Sequence, residues 1–271
     1  MTLPSLDTLW DIVRIAAREE LIPLFADVVR HIKHDGSVVT VADVSMQKRL
    51  KSDLARHWPE YDFLGEEMTV DEHELLTAGG QGLWCVDPLD GTSNFATGIP
   101  YFAVSLALII NGRQELGMVY DPVRDECFMA RRGQGARLNE MTLGVHEPPP
   151  PDELRRCMAS VDFKRLQPLL AAQLGAYPPY GSQRNFGASS LEWCWLADGR
   201  FHLYLHGGQK LWDYAGGSLI LAEAGGVATT LDGENIFNYS LKPRSVAAAA
   251  TPALFSLWKT WIDANWKPVR D

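Results

Sequence analysis

The chain has 271 residues, 46% apolar and 22% charged, a balance that fits a folded globular protein and excludes disorder, collagen-like repeats and low complexity. Its 34 acids against 25 bases give a formal charge of -9. That argues against a nucleic-acid binder working by phosphate neutralisation, but not against a small anionic substrate, because bound cations invert the local sign.

The longest uncharged apolar run, residues 103–110, is far short of the about 20 residues a membrane span needs, so no membrane association is expected. The first residues show no basic stretch followed by an apolar one, so no secretory signal is expected. Four scattered cysteines without a Cys-x-x-Cys pair fit buried thiols in a cytoplasmic protein. Leu6, Trp10, Val13, Ala17, Leu21, Leu24 and Val28 recur every three or four residues and predict a first helix, which Pro23 should bend or end. Residues 33–37, KHDGS, read as a turn. Val44, Leu50, Leu54 and Trp58 predict a second helix, with Thr40 and Asp43 at its start and Pro59 beyond its end.

From residue 61 the period shortens. Segments 61–64, 83–86, 104–110, 115–120 and 126–131 read as strands, and the last three, with turns at Asn111-Gly112 and Asp121-Pro122, as an antiparallel meander. Four prolines in residues 146–153 mark a linker. A boundary there divides the chain into 1–147, two helices and an antiparallel sheet, and 148–271, an α/β half. In the second half, residues 191–196 read as helix and 201–205 as strand. Residues 213–224 read as a helix closed by Gly225-Gly226, and Thr251-Pro252 opens a last amphipathic helix carrying Leu254, Leu257, Trp258 and Trp261.

The stretch LWCVDPLDGTSN, residues 83–94, ends an apolar strand in two carboxylates, Asp87 and Asp90, with Pro88 fixing the turn between them. Two acids projected into one loop repel each other, and at neutral pH the pair shares a proton or binds a cation. Oxygen ligands without neighbouring Cys or His select Mg²⁺, Ca²⁺ or Mn²⁺ rather than zinc. Gly65-Glu66-Glu67 and Trp212-Asp213 offer further carboxylates from distant stretches. Each feature has an ordinary reading as well: Asp-Gly-Thr-Ser-Asn is turn chemistry, Glu-Glu a solvated pair, and Asp43, Thr92 and Asp213 helix caps.

Taken together, DPLDGTSN, the preceding GEE and the later WDYAGGSLILAEAGG resemble the inositol monophosphatase family of Mg²⁺-dependent, lithium-sensitive phosphomonoesterases. Lys33, the 40–43 start of the second helix, the 130–136 hairpin and the 187–199 segment extend the resemblance over nearly the whole chain. It implies an α+β (α/β) fold, a layered αβαβα sandwich of the inositol monophosphatase and fructose-1,6-bisphosphatase type, and a homodimer. It also implies two or three Mg²⁺ ions. Glu66, Asp87 and the Leu89 carbonyl would hold the first, and Asp87, Asp90 and Asp213 the second. A third, weaker ion would sit near Glu66, itself a catalytic residue. Gly91 and Thr92 would offer N–H groups to the phosphate, and Thr92 with Asp43 would orient the attacking water.

The alcohol side departs from the pattern. Where inositol-specific members carry an acid seven positions before the Trp-Asp aspartate, this chain has His206. Gly187, Ala188 and Ser189 align with a segment that touches substrate, with Ser189 at a position where many members have alanine. Inositol 1-phosphate is the leading substrate. Histidinol phosphate, glycerol phosphate, a nucleotide 3′-phosphate or a fructose bisphosphate is the alternative, as is a non-enzymatic scaffold linked to RNA synthesis or processing. An aspartyl-phosphate mechanism is disfavoured, because its two carboxylates stand two apart and these stand three apart.

Overall fold

The computed structural model describes residues 3–33, 36, 38–69, 71–73, 82–144 and 149–266. The boundary expected at residue 147 and the tip of the 33–37 turn lie outside these. The first helix, α1 (Leu6–Glu20), starts where the Ser5 hydroxyl accepts the Thr8 N–H, and it buries Leu9, Val13, Ala16 and Ala17. It ends at Glu20, and Pro23 sits in a following 3-10 turn, so Leu24 and Val28 fall outside the helix. A short hairpin, β1 (His31–Ile32) and β2 (Val38–Val39), leads into α2 (Val41–His57). The buried stripe of α2 runs through Ala42, Met46, Leu50 and Leu54. Val44, expected on that stripe, is half-exposed because it lies on the opposite flank of the four-residue repeat.

Parallel strands β3 (Asp62–Gly65) and β4 (Leu83–Asp90) open the first sheet. A one-and-a-half-turn helix, α3 (Thr92–Thr97), follows β4. Strands β5 (Ala103–Ile110), β6 (Arg113–Asp121), β7 (Glu126–Arg131), β8 (Ala136–Leu138) and β9 (Met141–Thr142) then continue the sheet in chain order, each antiparallel to the last. Every residue of β4 is buried, as a strand covered on both faces requires.

The rest of the chain supplies β10 (Met158–Asp162), α4 (Pro168–Ala176), β11 (Ser182–Arg184), α5 (Ser189–Ala197), β12 (Leu203–Gln209), α6 (Leu211–Glu223), β13 (Val227–Thr229), β14 (Arg244–Ala249) and α7 (Pro252–Asn265). Its mixed sheet runs β11-β10-β12-β14-β13. Three apolar cores define the layers. One joins α1 and α2 to the first sheet, through Leu9, Met46 and Trp84 among others. A second holds α5 and α6 between the two sheets, through Trp193, Leu219 and Val246. The third packs α4 and α7 on the far face of the second sheet, through Leu170, Ala247 and Trp258. The protein is therefore a layered αβαβα sandwich.

Gly216 of α6 and Gly117 of β6 are what let that helix approach the first sheet, while Gly217 makes room for Trp193 of α5. A Cβ on Gly117 of β6 would lie 2.6 Å from the Gly216 carbonyl oxygen, and one on Gly216 would lie 2.7 Å from that of Leu106. Gln114 of β6 donates to the Ala215 carbonyl at 2.5 Å and to the Ser218 hydroxyl at 2.9 Å, locking helix to strand. This contact fixes the start of α6, where Asp213 stands.

Candidate active site

Glu66, Asp87, Asp90 and Asp213 come from the ends of β3 and β4 and the start of α6, and all four line one cavity of about 300 Å³. Each aspartate is braced by a nearby amide. Asp87 Oδ1 accepts the Leu89 N–H at 3.0 Å, closing the turn over Pro88, and Asp213 Oδ2 accepts the Lys210 N–H at 2.8 Å. Asp90 Oδ2 accepts both the N–H and the hydroxyl of Ser190 at 2.6 Å.

Burial pushes the Asp87 carboxyl well above its ordinary range, and the charges of Glu66, Asp90 and Asp213 add to the rise. Asp213 is raised by burial and then by Asp90 and Glu66. Burial raises Asp90 to about 6 against the pull of its Ser190 hydrogen bonds. Four mutually repelling, all-oxygen side chains lining one cavity are of the donor type that a hard divalent cation takes, and such an ion would relieve the repulsion. Among the described residues, no three acidic, histidine or cysteine side chains stand close enough to enclose an ion as they are. Lys33 Nζ pairs with Glu66 at 3.1 Å and with Glu67 at 2.5 Å. That ammonium is raised: burial would lower its pKa, but Glu66 and Glu67 outweigh it.

Asp43 serves two neighbours. Its Oδ2 accepts the N–H of Thr40 at 2.8 Å and its hydroxyl at 2.6 Å, as the cap of α2, while Oδ1 accepts the Thr92 hydroxyl at 2.8 Å. The Thr92 hydroxyl also lies 3.0 Å from the Leu89 carbonyl, so its single proton chooses between the two. Gly91 sits at φ +89° between β4 and α3, where a Cβ would meet Ala188 at 3.0 Å and the Tyr101 carbonyl at 3.1 Å. Gly91, Thr92 and the Leu89 main chain all line the cavity.

The rest of the lining comprises Gly187, Ala188, Ser189 and His206, together with Asp162, Lys164, Arg165, Asn185 and Glu192, which carry no motif, and Lys210, whose amide braces Asp213. Glu192, on α5, is 3% exposed; burial raises it to about 7, although it accepts the Ser160 hydroxyl and the Phe186 N–H. Asp162 ends β10 beside His206, with its Oδ2 3.2 Å from the histidine Nε2. Its only trace in the sequence is a polar residue closing a short apolar run.

A family model described as the inositol monophosphatase family matches residues 11–262. The chain belongs to the inositol monophosphatase family. Among its relatives, Nus factor SuhB of Pasteurella multocida is 34% identical over 82% of each chain, and inositol monophosphatase 1 of Rattus norvegicus is 31% identical over 80% of this chain and 78% of that one. Among solved structures, a lithium-soaked inhibitory complex of staphylococcal inositol monophosphatase-1 matches at TM-score 0.82, with 26% identity and 97% of each chain covered. Extragenic suppressor protein SuhB of Bartonella henselae matches at 0.78, with 27% identity over 95% of this chain and 96% of that one. The inositol monophosphatase family is Mg²⁺-dependent and lithium-inhibited, and its members act on small phosphorylated substrates. Among the described residues no helix is long and apolar enough to cross a membrane.

Proposed function

We propose that the protein is a cytoplasmic, homodimeric Mg²⁺-dependent phosphatase that hydrolyses a small alcohol phosphomonoester, with inositol 1-phosphate as its leading substrate. The observation that carries this is the meeting, in one cavity, of the four carboxylates with Thr92, whose hydroxyl donates to Asp43. All four cysteines are buried and unpaired, which suits a reducing compartment.

Glu66, Asp87, Asp90, Asp213 and the Leu89 carbonyl would hold two or three Mg²⁺ ions. Magnesium so held supplies positive charge to the phosphoryl oxygens and makes water a better acid. Gly91 and Thr92 take phosphate oxygens on their N–H groups. Asp43, fixed by Thr40, takes the Thr92 hydroxyl proton in a hydrogen bond. The Thr92 oxygen then presents its lone pairs to the incoming water and orients it for attack. Gly187, Ala188 and Ser189 face the alcohol.

The test is phosphate release from inositol 1-phosphate, glycerol phosphate, histidinol phosphate, adenosine 3′-phosphate and fructose 1,6-bisphosphate, with Mg²⁺ and with chelator. Release that requires Mg²⁺ and falls at least a hundredfold in Asp87→Asn is expected. No release from any ester would overturn the reading. Asparagine keeps the acceptor that Leu89 needs, so the fold should survive.

A second reading, action through a macromolecular partner, is favoured by relatives named Nus factors. Full biological complementation by a catalytically silent Asp87→Asn would establish it.

A further inference from the structure

His206 stands where the family pattern places an acid, yet the ring has no nitrogen left for a substrate hydroxyl. The Gly208 N–H donates to Nδ1 at 3.1 Å, so Nδ1 carries no proton. Nε2 must then hold the ring's hydrogen, and it points at Asp162 Oδ2, 3.2 Å away. Asp162 and His206 are partnered residues on the adjacent parallel strands β10 and β12, so their side chains rise from the same face of the sheet.

Asp162 is the more open of the two, its side chain 16% exposed against 8%, and both line the cavity. Its other oxygen, Oδ1, accepts the Lys164 N–H at 2.9 Å, which fixes the carboxylate's rotation. With one short hydrogen bond on each oxygen, and Arg165 Nε beyond hydrogen-bond distance at 3.8 Å from Oδ2, each retains an unused lone-pair direction. The turn that follows Asp162 is clamped to β12. A Cβ on Gly207 would fall 1.4 Å from the Arg165 carbonyl oxygen, so only glycine beside His206 lets the two strands close this way.

We propose that Asp162 is the specificity-determining residue that accepts hydrogen bonds from the hydroxyls of a polyol leaving group, with His206 as its positioning residue. The carboxylate of the alcohol pocket would then stand on β10, in register with His206 of β12. This rests on the phosphatase reading above and names the part of that site that reads the alcohol. It takes as substrate class a phosphate ester whose alcohol carries a further hydroxyl beside the ester carbon.

The experiment compares kcat/KM for inositol 1-phosphate with that for phenyl phosphate, which has no hydroxyl to read, in the wild type, Asp162→Asn, His206→Glu and the double variant Asp162→Asn/His206→Glu. The preference for inositol 1-phosphate should fall about tenfold or more in Asp162→Asn, chiefly through KM. It should fall also in His206→Glu, where two carboxylates would face each other. The double variant, which returns one carboxylate to β12, should recover the preference to within about threefold of the wild type. An unchanged preference in Asp162→Asn, or a double variant no better than Asp162→Asn, would overturn the assignment. Failure of the wild type to hydrolyse either ester would instead strike the phosphatase reading. Asp162 is then judged by calorimetric titration of inositol 1-phosphate in the presence of Ca²⁺. A Kd weakened about tenfold in Asp162→Asn upholds its role; equal values, or no binding by the wild type, overturn it.

Discussion

The two walls of the cavity are held by different means. On the acidic wall, Asp87 is braced by the amide two residues on, and Asp43 and Asp213 by amides three residues back; Asp90 is the exception, held by Ser190 of α5. On the alcohol wall, Asp162 is set by the Lys164 amide two residues on and also by His206 across a strand pair, and Glu192 on α5 by Ser160 of β10 and the Phe186 amide. Local bracing keeps a short motif functional wherever the chain carries it. Bracing across strands places Asp162 and His206 outside the motif, and Ser190, bonded to Asp90, is the point where the two walls meet.

The largest break in this comparison is expected at Asp213→Asn. Asparagine still offers an oxygen to the Lys210 N–H, so the start of α6 should hold and the melting temperature should move little. Removing a full charge from the donor set should weaken Mg²⁺ binding and lower kcat by about 10²–10³-fold, or about 3–4 kcal/mol in the barrier. Steady-state kinetics across a Mg²⁺ titration, beside thermal melts, reads both. Normal turnover at low Mg²⁺ would remove Asp213 from the site.

Legibility in the sequence followed the same division. The helices α1, α2, α6 and α7, the β5–β7 meander and the Asp87–Asp90 loop were all readable, because period, caps and turns are local properties. So was Asp43, whose cap role and reach to Thr92 coexist on separate oxygens. The β10, β11, β13 and β14 strands escaped notice, since runs of three to six residues carry little periodicity. Asp162 and the true environment of His206 depend on the pairing of β10 with β12, and no spacing along the chain encodes that register. The exposed Val44 shows the opposite failure, an apolar residue near the expected period that the helix turns outward.

Glu192 offers a pH test confined to the alcohol wall. Burial raises its carboxyl from an ordinary 4.5 to about 7. The unfolded chain therefore releases this proton at lower pH than the folded one. Between about pH 4.5 and 7 the native state binds more protons, and this group's contribution to stability falls as pH rises. The loss is of order 3 kcal/mol once both forms are ionised. Glu192→Gln keeps an acceptor for Ser160 and Phe186 but cannot ionise. Its stability relative to the wild type should therefore improve from pH 5 to pH 8, measured by urea unfolding with chelator present. Parallel pH profiles for the two proteins would show that Glu192 ionises at no cost.

The smallest expected effect sharpens the comparison by showing where the acidic wall also depends on distant packing. Gly117→Ala places a methyl 2.6 Å from the Gly216 carbonyl oxygen, a backbone atom that can yield only if α6 lifts from β6. Such overpacking typically destabilises by about 1–3 kcal/mol. Asp213 stands three residues before Gly216 on the same helix, so the shift reaches the carboxylate, and Mg²⁺ affinity should fall along with the melting temperature. The pairing of Asp162 with His206 belongs to the other sheet, and the preference for inositol 1-phosphate over phenyl phosphate should stay within about twofold. Gly112→Ala is the matched control. Gly112 has φ +70° but open space around its Cβ position, so strain there should lower stability without changing Mg²⁺ affinity. Equal losses of Mg²⁺ affinity in the two variants would mean that general destabilisation, and not the seating of α6 on β6, sets the position of Asp213.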